Sequence, residues 1–190
     1  MTPEAKRKIS HWFILLVPIS YIYVFPERKN LILLVLGILI FIVVIFELLR
    51  QNNEKLNSAL LKMFGGIHRE NEVKNTSTLI YSLSGIFLTI FFFSKEIAIL
   101  AILFLTFGDG LAALVGERYG NHKIFRKKSW EGTITNLVVC LIAGFLFSKF
   151  FTIKNSQIIL GSASATIIEI LPIKDNLLIP IISGLVMTII

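Results

Sequence analysis

Cysteine, histidine and charge are all scarce in this chain of 190 residues. Cys140 is the only cysteine and lies inside an apolar stretch, which excludes an intramolecular disulfide and a cysteine zinc cluster. His11, His68 and His122 are scattered, so no histidine pair is spaced for zinc and no Ser-His-Asp arrangement can be argued. Charged residues make up 16% of the chain, where a soluble domain carries about a quarter, and they are pushed between long apolar blocks. With 55% hydrophobic residues and a mean hydropathy of +0.78, the composition excludes most soluble enzymes. It is that of an all-α, polytopic integral membrane protein. No Gly-x-x-x-x-Gly-Lys-Ser/Thr loop occurs, and Gly108-x-Gly110-x-x-Ala113 follows no strand, so neither standard nucleotide motif is present. Internal repeats, heptads and low-complexity segments are absent too.

What is there is a series of seven apolar blocks: Trp12–Phe25, Leu31–Leu49, Thr76–Phe93, Ile97–Val115, Thr133–Phe151, Ile158–Leu171 and Leu177–Ile190. A crossing takes about 20 residues, so the length allows about six or seven crossings and no separate soluble domain. Residues 1–190 are therefore expected to form a single membrane-embedded catalytic domain of about seven transmembrane or partly re-entrant helices. Four blocks of 18 or 19 residues can span alone, whereas the first, sixth and seventh have 14 and must borrow flanking residues. Pro18 and Pro180 predict irregular helices in two of those short blocks. Lys6-Arg7-Lys8 before Trp12 resembles a signal-peptide start, but no small-residue cleavage site follows, so the block is read as a helix.

The net charge of +7 comes from residues flanking apolar blocks rather than from a basic soluble face, which argues against nucleic acid. A cytoplasmic N-terminus leaves 14 of the 19 Lys and Arg residues on the cytoplasmic side and satisfies the positive-inside rule. On that topology Glu47, Asp109, Glu131 and Glu169 lie toward the cytoplasmic helix ends, joined there by Asp175 and Asn176. Acids within membrane segments are costly and mark function. Asp109 sits beside the four-residue stripe Gly108, Ala112, Gly116 and Gly120, which predicts a close helix-helix seam; Gly161, Ala165 and Glu169 share a face likewise.

The stretch Arg126-Lys127-Lys128-Ser129-Trp130-Glu131-Gly132-Thr133 reads as a basic loop entering a helix with Ser129 as its N-cap. Lys128, Glu131 and Thr135 fall on one face, beside free backbone N–H groups at a positive helix end suited to phosphate. Cations beside a helix N-terminus, with carboxylates opposite, are the equipment of phosphoryl transfer.

The run Phe107-Gly108-Asp109-Gly110-Leu111-Ala112-Ala113-Leu114-Val115-Gly116, then Gly120, Lys123 and Lys128-Ser129-Trp130-Glu131-Gly132-Thr133, resembles the CTP-dependent lipid-alcohol kinase family. That family includes dolichol kinase, phytol kinase and the CTP-dependent diacylglycerol kinase. Ala165-Thr166-Ile167-Ile168-Glu169 and Asp175-Asn176-Leu177-Leu178-Ile179-Pro180 resemble its C-terminal acidic segment and Asp-Asn-Leu-x-x-Pro box. The resemblance covers about residues 45 to 185 and departs at Asn75-Thr76-Ser77-Thr78, where a Gly-Ala-Thr-like helix start is usual. It implies transfer of the γ-phosphate of CTP to the hydroxyl of a polyprenol, phytol or diacylglycerol, with Mg²⁺ or another divalent ion. By position it implies Asp109, Glu131, Lys128 and Glu169 as catalytic groups. Arg126, Lys128, Ser129, Gly108, Gly110, Lys123 and Arg69 would contact nucleotide or phosphate, and Asp109, Glu169, Asp175 and Asn176 the metal. Glu47, Arg50 and Glu72 match a looser part of the pattern. The expected setting is a prokaryotic cell membrane with the active site facing the cytoplasm and membrane lipids as neighbours; homo-oligomerisation is left open. The competing readings are a CDP-lipid synthase, because phosphatidate cytidylyltransferases are distantly similar, and a small cation transporter.

Overall fold

The computed structural model describes residues 12–53, 57, 77–125 and 128–190. Every apolar block becomes helical, as it must where no water is present to satisfy backbone N–H and C=O groups. Helix α1 (Trp12–Val24) changes winding along its length, from a 3₁₀ turn at Trp12–Leu15 through α geometry at Leu16–Ile19 to a π turn at Ser20–Val24. Pro18 lies at the centre of that change, as the missing N–H predicts. The others are α2 (Lys29–Asn52), α3 (Thr78–Phe92), α4 (Lys95–Tyr119), α5 (Trp130–Phe147), α6 (Asn155–Ile170) and α7 (Asp175–Ile189). Between α4 and α5, β1 (Lys123–Phe125) pairs antiparallel with β2 (Lys128–Ser129).

Among the described residues α2, α4 and α5 are long and apolar enough to cross a membrane alone. The third block falls short of the length its composition suggests, giving 15 helical residues, because Ser77 adopts an extended N-cap conformation and accepts from the N–H of Leu79 at 3.3 Å. Pro180 remains inside α7. Its ring leaves the Asn176 carbonyl without the usual intrahelical donor, and Gly85 of α3 packs there, its missing Cβ position only 2.9 Å from the carbonyl oxygens of Asn176 and Leu177.

Helix α4 is the core: Ala98 through Ile102, Phe104 and Leu105 have no exposed surface, with Ile86 and Ile90 of α3, Ile158 of α6, and Ile179 and Met187 of α7 packed as completely. Helix α2 lies outermost and shows Val35, Ile38, Phe41 and Ile42 to the surroundings, the side that meets lipid. Helices α2 and α3 run antiparallel, as do α6 and α7, and lysines cap the ends where each pair meets. Lys29 Nζ donates to the carbonyls of Phe91 and Phe93 at 3.0 and 3.2 Å, and Lys154 Nζ to that of Ile190 at 3.1 Å.

Candidate active site

The site forms where α4, α5, α6 and the start of α7 meet, and α4 prepares it by changing geometry. After Leu103 the helix widens to a π segment at Phe104–Asp109 and returns to α geometry at Gly110. Such segments re-aim side chains and recur at functional positions. Asp109 ends this one and is 2% exposed. The small-residue stripe then packs on α5 as the four-residue spacing predicts. A Cβ on Gly108 would stand 2.6 Å from Cys140 Sγ and 3.2 Å from Asn136 Nδ2, one on Gly116 3.2 Å from Ser129 Oγ, and one on Gly132 2.9 Å from the Ala112 carbonyl oxygen. Gly110 faces Trp12, whose indole nitrogen lies 3.1 Å from the missing Cβ position.

The close approach of Gly116 to Ser129 places the basic loop. Ser129 is buried and caps α5, accepting from the N–H of Gly132 at 3.3 Å. Lys128, one residue earlier, reaches across to α6 and α7, where its Nζ donates to Glu169 Oε1 at 2.5 Å and to Asp175 Oδ2 at 3.3 Å. Glu169 is 3% exposed, and Asn176, next to Asp175 at the start of α7, is buried. Burial alone would lower the pKa of the Lys128 ammonium, but the negative charges of Asp109, Asp175 and Glu169 outweigh it and hold the group above the ordinary lysine value. The cation is thus paired with Glu169 of α6 and Asp175 of α7 and lies in the field of Asp109 of α4. Two polar atoms here, Glu169 Oε2 and Asn176 Oδ1, are buried without a hydrogen-bond partner.

Asp109, Lys128, Ser129, Glu169, Asp175 and Asn176 are therefore brought together, with Gly108 and Gly110 flanking the aspartate. Glu131 is directed elsewhere: its carboxylate accepts from the N–H groups of Asn121 and His122, both at 3.2 Å, and meets His122 Nδ1 at 2.7 Å, fastening the turn into β1 to the start of α5. Lys123 is exposed on β1, in register with Ser129. Arg69, Arg126 and Glu72 lie outside the described residues. Glu47 is buried against Arg50, with Oε1 2.5 Å from Nη2, and accepts from the Ser77 N–H at 3.1 Å, which ties the end of α2 to the start of α3.

Among the described residues no three His, Cys, Asp or Glu side chains close on one point as a metal cage. Mg²⁺ asks for less, since it is usually held by one or two carboxylates together with phosphate oxygens and water. Sequence reasoning missed the polar line behind the carboxylates. Asn136 on α5 is fully buried and its Oδ1 accepts from Thr166 Oγ1 of α6 at 3.0 Å, while Thr133 and Ser162 are buried on the same two helices. Its signal was the spacing of Thr133, Asn136 and Cys140, one face of an otherwise apolar helix.

A profile of the cytidylyltransferase family matches residues 2–188. An uncharacterized protein of Rickettsia prowazekii is 33% identical over 94% of this chain and 90% of its own length. The CTP-dependent diacylglycerol kinase 1 of Saccharomyces cerevisiae is 25% identical over 97% of this chain and 72% of its own, and a phytol kinase of Synechocystis is 37% identical over 57% of this chain and 52% of its own. No solved structure matches.

Proposed function

The chain belongs to the cytidylyltransferase family, and on that premise we propose that it is a membrane-embedded kinase that transfers the γ-phosphate of CTP to the hydroxyl of a lipid alcohol. The observation that carries this reading is the Lys128 ammonium, held at a helix N-terminus by Glu169 and Asp175 and within the field of buried Asp109. Relatives named as CTP-dependent diacylglycerol kinase and phytol kinase support both donor and acceptor class. The whole of 1–190 acts as one catalytic domain, in a prokaryotic cell membrane with the site on the cytoplasmic side, where the excess of Lys and Arg lies. A membrane site suits the substrates, because the lipid tail stays in hydrocarbon while the hydroxyl meets a soluble nucleotide at the interface.

In the transfer the acceptor oxygen bonds to the γ-phosphorus and the bond from that phosphorus to the bridging oxygen breaks, releasing CDP. Asp109 takes the hydroxyl proton. Lys128 and the N–H groups at the start of α5, capped by Ser129, hold the phosphate oxygens on which charge accumulates, with Lys123, Arg126 and Arg69 guiding the nucleotide. Glu131 acts by fixing the turn that carries β1. The donor set of Asp109, Glu169, Asp175 and Asn176 is all oxygen and includes two buried unpartnered atoms, which fits a hard divalent cation such as Mg²⁺. Bound there, the cation would neutralise phosphate charge.

The test is transfer by purified protein in detergent from γ-labelled CTP or ATP to a panel of lipid alcohols. Label is expected in lipid phosphate, from CTP in preference to ATP, with loss on chelation and a fall of about 10²–10⁴-fold in Asp109→Asn. The family name favours one second reading, a CDP-lipid synthase. Pyrophosphate released with phosphatidate as substrate would establish it and displace the kinase.

A further inference from the structure

Lysines at the two ends of the bundle are used differently. At the end away from the carboxylates, Lys29, Lys95 and Lys154 spend their ammonium groups on backbone carbonyls, those of Phe91 and Phe93, of Pro26 and of Ile190, at 2.9 to 3.2 Å. Lys174, at the carboxylate end, has no ion pair or hydrogen-bond acceptor for its ammonium among the described residues. It is exposed and stands over the face of the Tyr81 ring, with Nζ 4.4 Å from the centroid. The backbone sets this position. Leu171 is extended ahead of Pro172, and Lys174 is the centre of an inverse γ-turn, with φ −78° and ψ 75° and the Asp175 N–H donating to the Ile173 carbonyl at 2.9 Å. Tyr81 is brought to it by Gly85, one turn further along α3, where that helix closes on the carbonyls of Asn176 and Leu177. The neighbouring carboxylate is committed elsewhere, since Asp175 accepts from Lys128 Nζ at Oδ2 and from the Asn176 N–H at Oδ1.

Charge shows what such a cation is for. Among the described residues of the site, the carboxylates of Asp109, Glu169 and Asp175 stand against the single ammonium of Lys128. That balance suits a divalent cation, but a nucleoside triphosphate brings several negative charges of its own, and the carboxylates repel it as it arrives. Cations on the aqueous side of the cluster must offset that repulsion. Lys174 adjoins Asp175 in the chain and is exposed where Lys128 is half-buried, so it lies outward of the phosphate that Lys128 holds. A ring face steadies an ammonium without consuming its N–H groups, and all three donors remain for a ligand. A lysine serving only the positive-inside rule needs no ring beneath it. We propose that Lys174, positioned by Tyr81, binds the nucleotide phosphates that stay with the leaving diphosphate. The inference rests on the kinase reading for the nucleotide's place at this site, and its test includes a binding measurement that does not need the reaction.

The experiment uses the full chain in detergent with Mg²⁺, and measures equilibrium binding of labelled CTP and CDP beside steady-state transfer from CTP to diacylglycerol and phytol. Lys174→Met is expected to raise Kd and KM for CTP about tenfold while changing kcat and the KM for the alcohol less than about threefold. Binding of CDP should weaken as much, because the contact stays with the leaving group. Lys174→Arg, a cation that also stacks on a ring, should remain within about threefold of wild type, and Tyr81→Leu should raise Kd part of the way. Added salt should weaken CTP binding less in Lys174→Met than in wild type. Lys174→Gln serves if the first variant does not fold. A lower thermal midpoint with unchanged Kd would make the pair a fastener between α3 and α7 and overturn the inference, as would an unchanged Kd for CDP or a loss confined to kcat. Transfer to no alcohol overturns the kinase, and binding then decides: CTP held by wild type and weakened in Lys174→Met supports the role of Lys174, and equal or absent binding overturns it.

Discussion

Replacing Lys128 by Met removes the cation that joins β2, just before α5, to α6 and α7. Its Nζ lies 2.5 Å from Glu169 Oε1, and Glu169 is 3% exposed, so the substitution leaves a carboxylate buried without its counter-charge. Breaking a fully buried pair from one side costs about 3–5 kcal/mol. The Lys128 side chain is 27% exposed, so water screens part of that, and about 2–3 kcal/mol is the expected loss. For a chain of this length each kcal/mol moves the midpoint by about 2–4 °C, which predicts a fall of about 4–12 °C in detergent, read by loss of the monodisperse peak on size exclusion after heating. The informative comparison is the double variant. If the loss comes from the orphaned charge, Glu169→Gln added to Lys128→Met must recover about half of it, because the amide removes the charge and keeps the shape. A double variant as unstable as the single one, or less stable, would refute the reasoning, since the loss would then stem from packing of the lysine stem.

The Lys128 pKa is raised on folding, so the ion pair's contribution is complete below the unfolded lysine pKa of about 10.4 and is lost only as pH rises through the folded value. The midpoint difference between wild type and Lys128→Met should therefore stay constant from about pH 7 to 9 and close only in more alkaline solution; closure between pH 7 and 9 would contradict it. Gly132→Ala pushes a Cβ to 2.9 Å from the Ala112 carbonyl oxygen and should destabilise the α4–α5 seam by about 1–3 kcal/mol, seen as a lower midpoint and reduced transfer together. Ser129→Ala removes the cap of α5 and should lose about 1 kcal/mol, whereas Ser129→Asp should restore the cap and thereby the midpoint. Glu131→Gln releases the His122 contact, and faster amide exchange at Asn121 and His122 is the readout, with unchanged exchange counting against its fastening role.

Among the described residues the helices were legible in the sequence because apolar blocks of this length have one way to satisfy their backbone in hydrocarbon, and the order of the blocks is the order of those helices. The four-residue stripe Gly108, Ala112, Gly116 and Gly120 likewise specified a seam, and Ser129 a cap, since both depend on spacing within a single helix or on the residue just before it. Membership of Asp109, Glu169 and Asp175 in one polar cluster followed from placing costly acids at the same helix ends.

What the tertiary structure alone decided are the partnerships between helices. Lys128 and Glu131 stand three residues apart and share a helical face by spacing, yet Lys128 crosses to Glu169, 41 residues away, while Glu131 turns back to His122. The difference arises because the β1–β2 hairpin brings Asn121 and His122 over the start of α5 and gives Glu131 three nearby donors, a placement no local period encodes. Asn136 was unreadable for the same reason: a lone amide in an apolar helix gains meaning only when Thr166 faces it and Gly108 lets α4 close against it. Periodicity says which side of a helix is turned inward, but the side chains that meet there are set by how closely backbones approach, and in this protein glycines on α3, α4 and α5 set that distance.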